Sequence, residues 1–245
     1  MLMLIDAHLD AIDDVNAALE QARRAGIGQV VAMGMEMRSN EANLRLAAAY
    51  PGRVWPAVGY HPWSLQAEQA AATLSQVREQ LPRCVALGEV GLDYKVKVPK
   101  KFQQEVFGQL LALAVEQDKP VVVHCRFSHQ RAHAMVRAAG IRRAVFHWYS
   151  GPLEVLDALL ADGYFISTTP ALAYSPPHRA AAERAPIERI LVETDTPVSY
   201  QGRSSRPADL LQTIEHLGRI KQISMDAVAQ QTATNACGFY DLTKI

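Results

Sequence analysis

The chain has 245 residues, 49% of them hydrophobic and 20% charged, with 25 Lys plus Arg against 25 Asp plus Glu. This is the balance of an ordinary globular protein long enough for one large core, and it argues against a disordered or fibrous chain. The zero formal net charge argues against a protein that coats long nucleic acid or a membrane through a general basic excess, so any nucleic-acid contact is expected to be short and local.

Two textures alternate along the chain. Short apolar runs, many of them β-branched, fall at 2–6, 29–33, 54–58, 84–88, 121–124, 144–147, 164–167 and 190–193. Each is followed by a stretch rich in Ala, Leu, Glu, Gln and Arg with helical periodicity, for example 105–117 and Leu153–Ala161. The helical signal is weakest at Pro176–Arg184, and an extra helix is expected at Met225–Tyr240. Continuous apolar strands separated by helices predict a parallel sheet buried on both faces. Eight such units in this length predict a closed (β/α)₈ TIM barrel, a single domain over residues 1–245 with an extra C-terminal helix. An open doubly wound sheet often carries a glycine-rich phosphate loop after its first strand. Here that place reads Asp6-Ala7-His8-Leu9-Asp10, without glycine.

Cys84, Cys125 and Cys237 are far apart and form neither a disulfide framework nor a zinc-thiolate motif, which suits a reducing, cytoplasmic setting. The apolar start meets Asp6 too early for a signal peptide, and no run approaches the roughly 20 apolar residues of a membrane helix.

In a barrel of this kind the reactive groups stand where strands run into the following loops. Six of the eight strand ends carry His or a carboxylate: Asp6, His8 and Asp10; His61; Glu89 and Asp93; His124; His147; Glu193 and Asp195. The ends at 33–35 and 167–170 read as walls. Residues two apart share a side of a strand, so Asp6, His8 and Asp10 face one spot if strand geometry persists that far. Imidazole and carboxylate are the donors that borderline and hard divalent ions take. A mouth ringed by His8, Asp10, Glu89, His124, His147 and Asp195 would hold two divalent cations if one carboxylate bridges, and Glu89, from the middle of the set, is the natural bridge. Asp6 is a further candidate for the same ring. It could instead orient a ligand imidazole, and Asp93 could cap a loop. Cys125 is expected to point into packing, and His129, His133, His178 and His216 are expected mostly at the surface.

These stretches together resemble the TatD family of metal-dependent hydrolases, a branch of the amidohydrolase-like barrels. The resemblance rests on Gly59-Tyr60-His61-Pro62, on 86–94 (Ala-Leu-Gly-Glu-Val-Gly-Leu-Asp-Tyr), on 119–126, on His147-Trp148-Tyr149-Ser150-Gly151 and on 191–197. It implies a TatD-like deoxyribonuclease that needs divalent cations (Mg, Mn or Zn) and acts on DNA ends or another small phosphodiester, often exonucleolytically from a 3′ end. It also implies that Glu89 bridges two ions, that His124 and His147 bind one of them, that Asp195 contacts the attacking water, and that His61 and Arg126 lie near the phosphate. Glu89 and Asp195 are then the catalytic carboxylates. Trp63, Trp148 or Tyr149 could stack on a terminal base, and the basic loop containing Arg203 suits an anionic substrate.

One departure concerns the first strand, which in the family usually ends in Asp-x-His-x-His-Leu-Asp. Either Asp10 replaces the second histidine or Asp6 replaces the first, and in both alignments an imidazole has become a carboxylate, favouring harder cations. The same ligands could also serve hydrolysis of a non-nucleic ester, lactone or amide, or the barrel could be a weakly active subunit of a larger assembly.

Overall fold

Eight parallel strands follow one another in sequence order: β1 (Leu4–Leu9), β2 (Ile27–Ala32), β3 (Val54–Tyr60), β4 (Ala86–Asp93), β5 (Val121–Arg126), β6 (Ala144–Phe146), β7 (Phe165–Thr168) and β8 (Ile190–Val192). The computed structural model describes residues 4–9 and 14–242. Asp10 therefore lies outside the described residues, as do the first two residues of the run expected at 2–6. The connecting helices are α1 (Val15–Arg24), α2 (Met37–Ala49), α3 (Ala67–Gln80), α4 (Lys100–Glu116), α5 (His129–Ala138), α6 (Leu153–Ala161), α7 (Pro176–Arg184) and α8 (Leu210–Lys221), and α9 (Met225–Tyr240) follows as the extra C-terminal helix. The fold is a (β/α)₈ TIM barrel.

The strands are apolar on both faces because both are covered. Leu4, Leu9, Val30, Val54, Val58 and Leu87 pack outward against the helices. Ile5, Ala7, Val31, Met33, Ala57, Ala86, Val122, Val145 and Leu191 face inward and fill the barrel. This division follows the period of two along β3 and β5 and breaks on β1 between Ala7 and Leu9, where the ladder to β2 is irregular. Helix α9 adds Ala236, Phe239 and Tyr240 to the inner cluster, and the Tyr240 hydroxyl donates to the Ala7 carbonyl at 3.1 Å.

Closure of the barrel is polar. Among the described residues one isolated parallel bridge, Leu9 to Thr196, joins β1 to the segment after β8. Beside it the Asp6 carboxylate accepts from the Thr194 amide at 2.9 Å and from the Thr194 hydroxyl at 2.5 Å. Burial pushes the Asp6 carboxyl up to about 7, against the lowering effect of these hydrogen bonds. Asp6 is thus spent on the seam, which is why it turns toward Thr194 and not toward an imidazole ring.

Strand β4 runs further than its apolar signal, to Asp93, so Glu89 lies within the strand and not beyond its end. The ladder is irregular on both sides of it, between Val58 and Tyr60 on β3 and between Leu87 and Val90 on β4. Such irregularities re-aim side chains next to sites. Small residues allow the close approach: a Cβ at Gly59 would lie 2.6 Å from the Glu89 backbone, and one at Gly91 (φ +149°) would lie 2.0 Å from the His124 carbonyl oxygen. Gly59→Ala is expected to lower the melting temperature by a few to about 10 °C, as overpacking costs about 1–3 kcal/mol. It should also weaken divalent-cation binding through Glu89, measured by calorimetric titration of the same protein.

Candidate active site

At the C-terminal ends of the strands lies a cavity of about 410 Å³ whose lining includes His61, Glu89, His124, Arg126, His147 and Asp195. Its centre is Glu89, a carboxylate only 3% exposed. Oε1 of Glu89 lies 2.8 Å from His124 Nδ1, 3.1 Å from His147 Nε2 and 3.5 Å from His61 Nε2. Oε2 lies 3.4 Å from His8 Nε2, which is itself 3.3 Å from Asp195 Oδ1. Five of the strand-end residues expected to converge therefore do so, from β1, β4, β5 and the ends of β6 and β8. The donor atoms form two groups, each compact enough to surround one ion: His8 with Glu89 and His147, and His61 with Glu89 and His124. Glu89 belongs to both. His61 also stands nearer the carboxylate than a phosphate contact alone would need.

The electrostatics are those of a cation site. Burial by itself would push the Glu89 carboxyl up, but His147, His61 and His124 overcome it and hold the group well below the usual carboxylate range. Burial would likewise lower His147, but Glu89, Glu193 and Asp195 raise it well above its ordinary value. His124 is raised in the same way by Asp93 and Glu89. A field that draws protons onto imidazoles is the field that divalent cations exploit once those protons leave. The residues present fit such ions by donor type and by mutual distance.

A second layer fixes the imidazoles. Glu193 is buried behind His147: its Oε1 is 3.0 Å from His147 Nδ1 and accepts from the Trp148 amide at 3.1 Å and the Ser167 hydroxyl at 2.6 Å. Asp93 plays the same part for His124, with Oδ2 3.2 Å from His124 Nε2 and accepting from the Trp63 indole at 2.6 Å. Asp93 also caps the following loop, as its place in the sequence allowed, by accepting from the Lys95 amide at 2.8 Å, whereas the sequence pattern gave Glu193 no role. The signal was present in the alternation, since Glu193 sits two residues before Asp195 and Asp93 four after Glu89. Backbone strain marks the same region: Asp195 (φ 51°) and Trp148 (φ 41°) are both left-handed without being glycine.

Several expectations need correction. Tyr149 is fully buried, its hydroxyl donating to the Pro152 carbonyl at 2.7 Å, so it cannot stack on a substrate base. Arg203 lies on a short hairpin (Ser199–Tyr200 with Arg203–Ser204) and its guanidinium is tied to Asp209, which holds it out of the cavity lining. Cys125 packs against the core cluster as expected and also borders the cavity, and burial pushes its thiol up to about 12, which leaves it a poor nucleophile. His133 and His178 are buried, not on the surface: His133 pairs with Asp162 at 2.7 Å, and His178 accepts from the Thr169 amide at 3.1 Å with burial pushing it down to about 4. Trp63 and Trp148 do line the cavity.

Comparison with known proteins agrees with this geometry. The family model for TatD related DNase matches residues 5–241. The chain is 33% identical to the 3′-5′ ssDNA/RNA exonuclease TatD of Edwardsiella piscicida, over 91% of this chain and 92% of the relative. It is 26% identical to an uncharacterized metal-dependent hydrolase of Methanocaldococcus jannaschii, over 96% of each. Among solved structures it resembles the TatD homologue YJJV of Escherichia coli, with a TM-score of 0.88, 27% identity and 98% of each chain covered.

Two outcomes follow from the site. Glu193→Gln should weaken divalent-cation affinity about 10- to 100-fold, as loss of an orienting carboxylate behind a ligand imidazole does, read by calorimetric titration with manganese. In metal-stripped protein, His147 and His124 titrate above their ordinary values and Asp6 at about 7. The stability that raised groups contribute is present at low pH and lost as pH rises through their folded values. Metal-stripped protein should therefore melt lower at about pH 8.5 than at about pH 6, and bound manganese, which replaces those protons, should shrink the difference.

Proposed function

We infer from one premise, that this chain belongs to the TatD related DNase family, that it is a metal-dependent deoxyribonuclease releasing nucleotides from the 3′ end of a strand. The observation that carries this reading is the sharing of Glu89 between two donor groups. In this reading residues 1–245 work as a single barrel domain that takes up two divalent cations, Mg, Mn or Zn. Glu89 would bridge them. His124 and His147, whose nitrogens lie nearest Glu89 Oε1, would hold one ion and His8 with Asp195 the other, while His147 also lies within reach of His8, and His61 of His124, in the two donor groups. Asp10 is a further candidate ligand by its place in the sequence. When bound, such ions acidify a water and take up charge on phosphoryl oxygens.

The chain's own residues supply the rest. Asp195, close to His8 and lining the cavity, accepts the proton of the attacking water. Arg126, exposed at the end of β5, receives a non-bridging phosphoryl oxygen through its planar donor fork. Trp148 on the wall offers a ring face to the terminal base. Glu193 and Asp93 keep His147 and His124 in the tautomers that face Glu89. The three cysteines are free thiols and no described helix is long and apolar enough to cross a membrane, which supports a cytoplasmic enzyme.

The test is degradation of 5′-labelled single-stranded DNA with magnesium or manganese. Shortening from the 3′ end by the wild type is expected, and Glu89→Ala should lose about 10³-fold or more, the equivalent of several kcal/mol of transition-state stabilisation. Equal degradation by both proteins would refute the assignment. Turnover of an aryl ester alone, tracking metal content, would redirect it to a non-nucleic substrate.

A further inference from the structure

The loop from β4 to α4 is a concentration of positive charge in a chain of no net charge. Residues 94–104 read Tyr-Lys-Val-Lys-Val-Pro-Lys-Lys-Phe-Gln-Gln, four lysines without an acid. The loop begins at the cavity wall: the Lys95 amide donates to Asp93 Oδ1 at 2.8 Å, and the other oxygen of Asp93 holds the cavity-lining Trp63 indole. It is also anchored. The Tyr94 amide donates to the carbonyl of Arg126, itself in the cavity wall, at 2.9 Å, and the Gln103 side chain donates to the Val98 carbonyl at 2.9 Å. Lys100 lies over the Tyr94 ring at 4.6 Å, Gln104 donates to the Tyr94 hydroxyl, and Arg131 of α5 donates to Gln104. Tyr94 thus gathers cations of two neighbouring elements onto one rigid shelf.

Most of these charges meet no acid. Lys101 has Glu105 at 3.8 Å, but among the described residues Lys95, Lys97, Lys100 and Arg126 have no acidic partner within 4 Å, and all four are exposed. Directly after Arg126, whose carbonyl holds the Tyr94 amide, stands Phe127, 73% exposed and left-handed at φ 54°. A phenyl ring held in water on a strained backbone contributes nothing to the core. Cations interleaved with an exposed aromatic ring form the surface that single-stranded nucleic acid binds, phosphates on the lysines and an unstacked base on the ring. A duplex keeps its bases stacked and would leave Phe127 unused.

Resting on the reading that the cavity takes a 3′ end, we propose that this shelf carries the body of the same single strand, with Lys95, Lys97 and Lys100 on successive phosphates and Phe127 under a base. The enzyme then prefers strands several nucleotides long over dinucleotides, although its net charge is zero.

The experiment measures anisotropy of labelled dT12 and dT3, protected at the 3′ end by phosphorothioates, with wild type and the triple variant K95Q/K97Q/K100Q. The wild type should bind dT12 at least about 10-fold more tightly at low salt, and the variant should lose that advantage. Its slope of log Kd against log salt should fall by about 2, at about 0.7 per phosphate released. Phe127→Ala should weaken dT12 binding roughly 5- to 100-fold. Hydrolysis of the dinucleotide dTpdT should be the same in wild type and triple variant, which also reports that the variant folds. Equal affinity and slope in wild type and triple variant overturn the shelf while leaving the nuclease reading intact. Tight, lysine-dependent binding of dT12 with no cleavage of any phosphodiester refutes the nuclease reading instead. Tighter binding of a 12-base-pair duplex than of dT12 overturns the assignment to a single strand.

Discussion

A carboxylate stays ionised inside a protein only when cations or hydrogen-bond donors surround it, and Glu89 has four imidazoles, those of His8, His61, His124 and His147, within 3.5 Å of its two oxygens. None of the four is near Glu89 in sequence. His8 and His124 come from β1 and β5, His61 and His147 directly follow β3 and β6, and only the barrel brings them together. The cluster is unbalanced as it stands, because carboxylates and imidazoles at this density compete for protons. Divalent cations resolve that competition by displacing the protons from the rings. The eight-stranded architecture, the glycines beside Glu89 and the second layer of acids all serve to hold this one arrangement.

The barrel supplies positioning at two levels. Parallel strands end at the same rim, so side chains from β1, β4, β5, β6 and β8 converge without long loops. Behind them, Glu193 and Asp93 turn His147 and His124, and Asp6 closes the last gap by binding Thr194. Asp195 follows directly from that closure. The residues on either side of it, Thr194 and Thr196, are joined hydroxyl to hydroxyl at 2.7 Å, and Thr194 is held by Asp6. The left-handed Asp195 thus lies between two residues tied into the seam, so barrel closure and this carboxylate share one set of hydrogen bonds.

Much of this was legible in the residues alone, because strand and helix periodicity differ and because a buried parallel sheet is apolar throughout. Helices at Leu153–Ala161, Pro176–Arg184 and Met225–Tyr240 stand where the pattern places them. The strand-end reading brought His8, Glu89, His124, His147 and Asp195 to one mouth. What the pattern could not carry was direction. Asp6 and His8 share strand parity, yet the seam takes Asp6 away. Tyr149 follows the rim residue Trp148 but turns into the core, where its carbonyl meets the buried His178. Charge compensation was equally hidden: Arg203 pairs with Asp209, whereas among the described residues Lys95, Lys97 and Lys100 have no acidic partner within 4 Å.

Anomalous diffraction from crystals of the protein grown with manganese tests the Glu89 cluster most directly. Two peaks are expected astride the Glu89 carboxylate, about 4 Å apart, one toward His124 and His147 and the other toward His8 and Asp195. No peak within coordination distance of Glu89, or peaks that persist unchanged in Glu89→Ala crystals, would contradict a metal centre built on that residue.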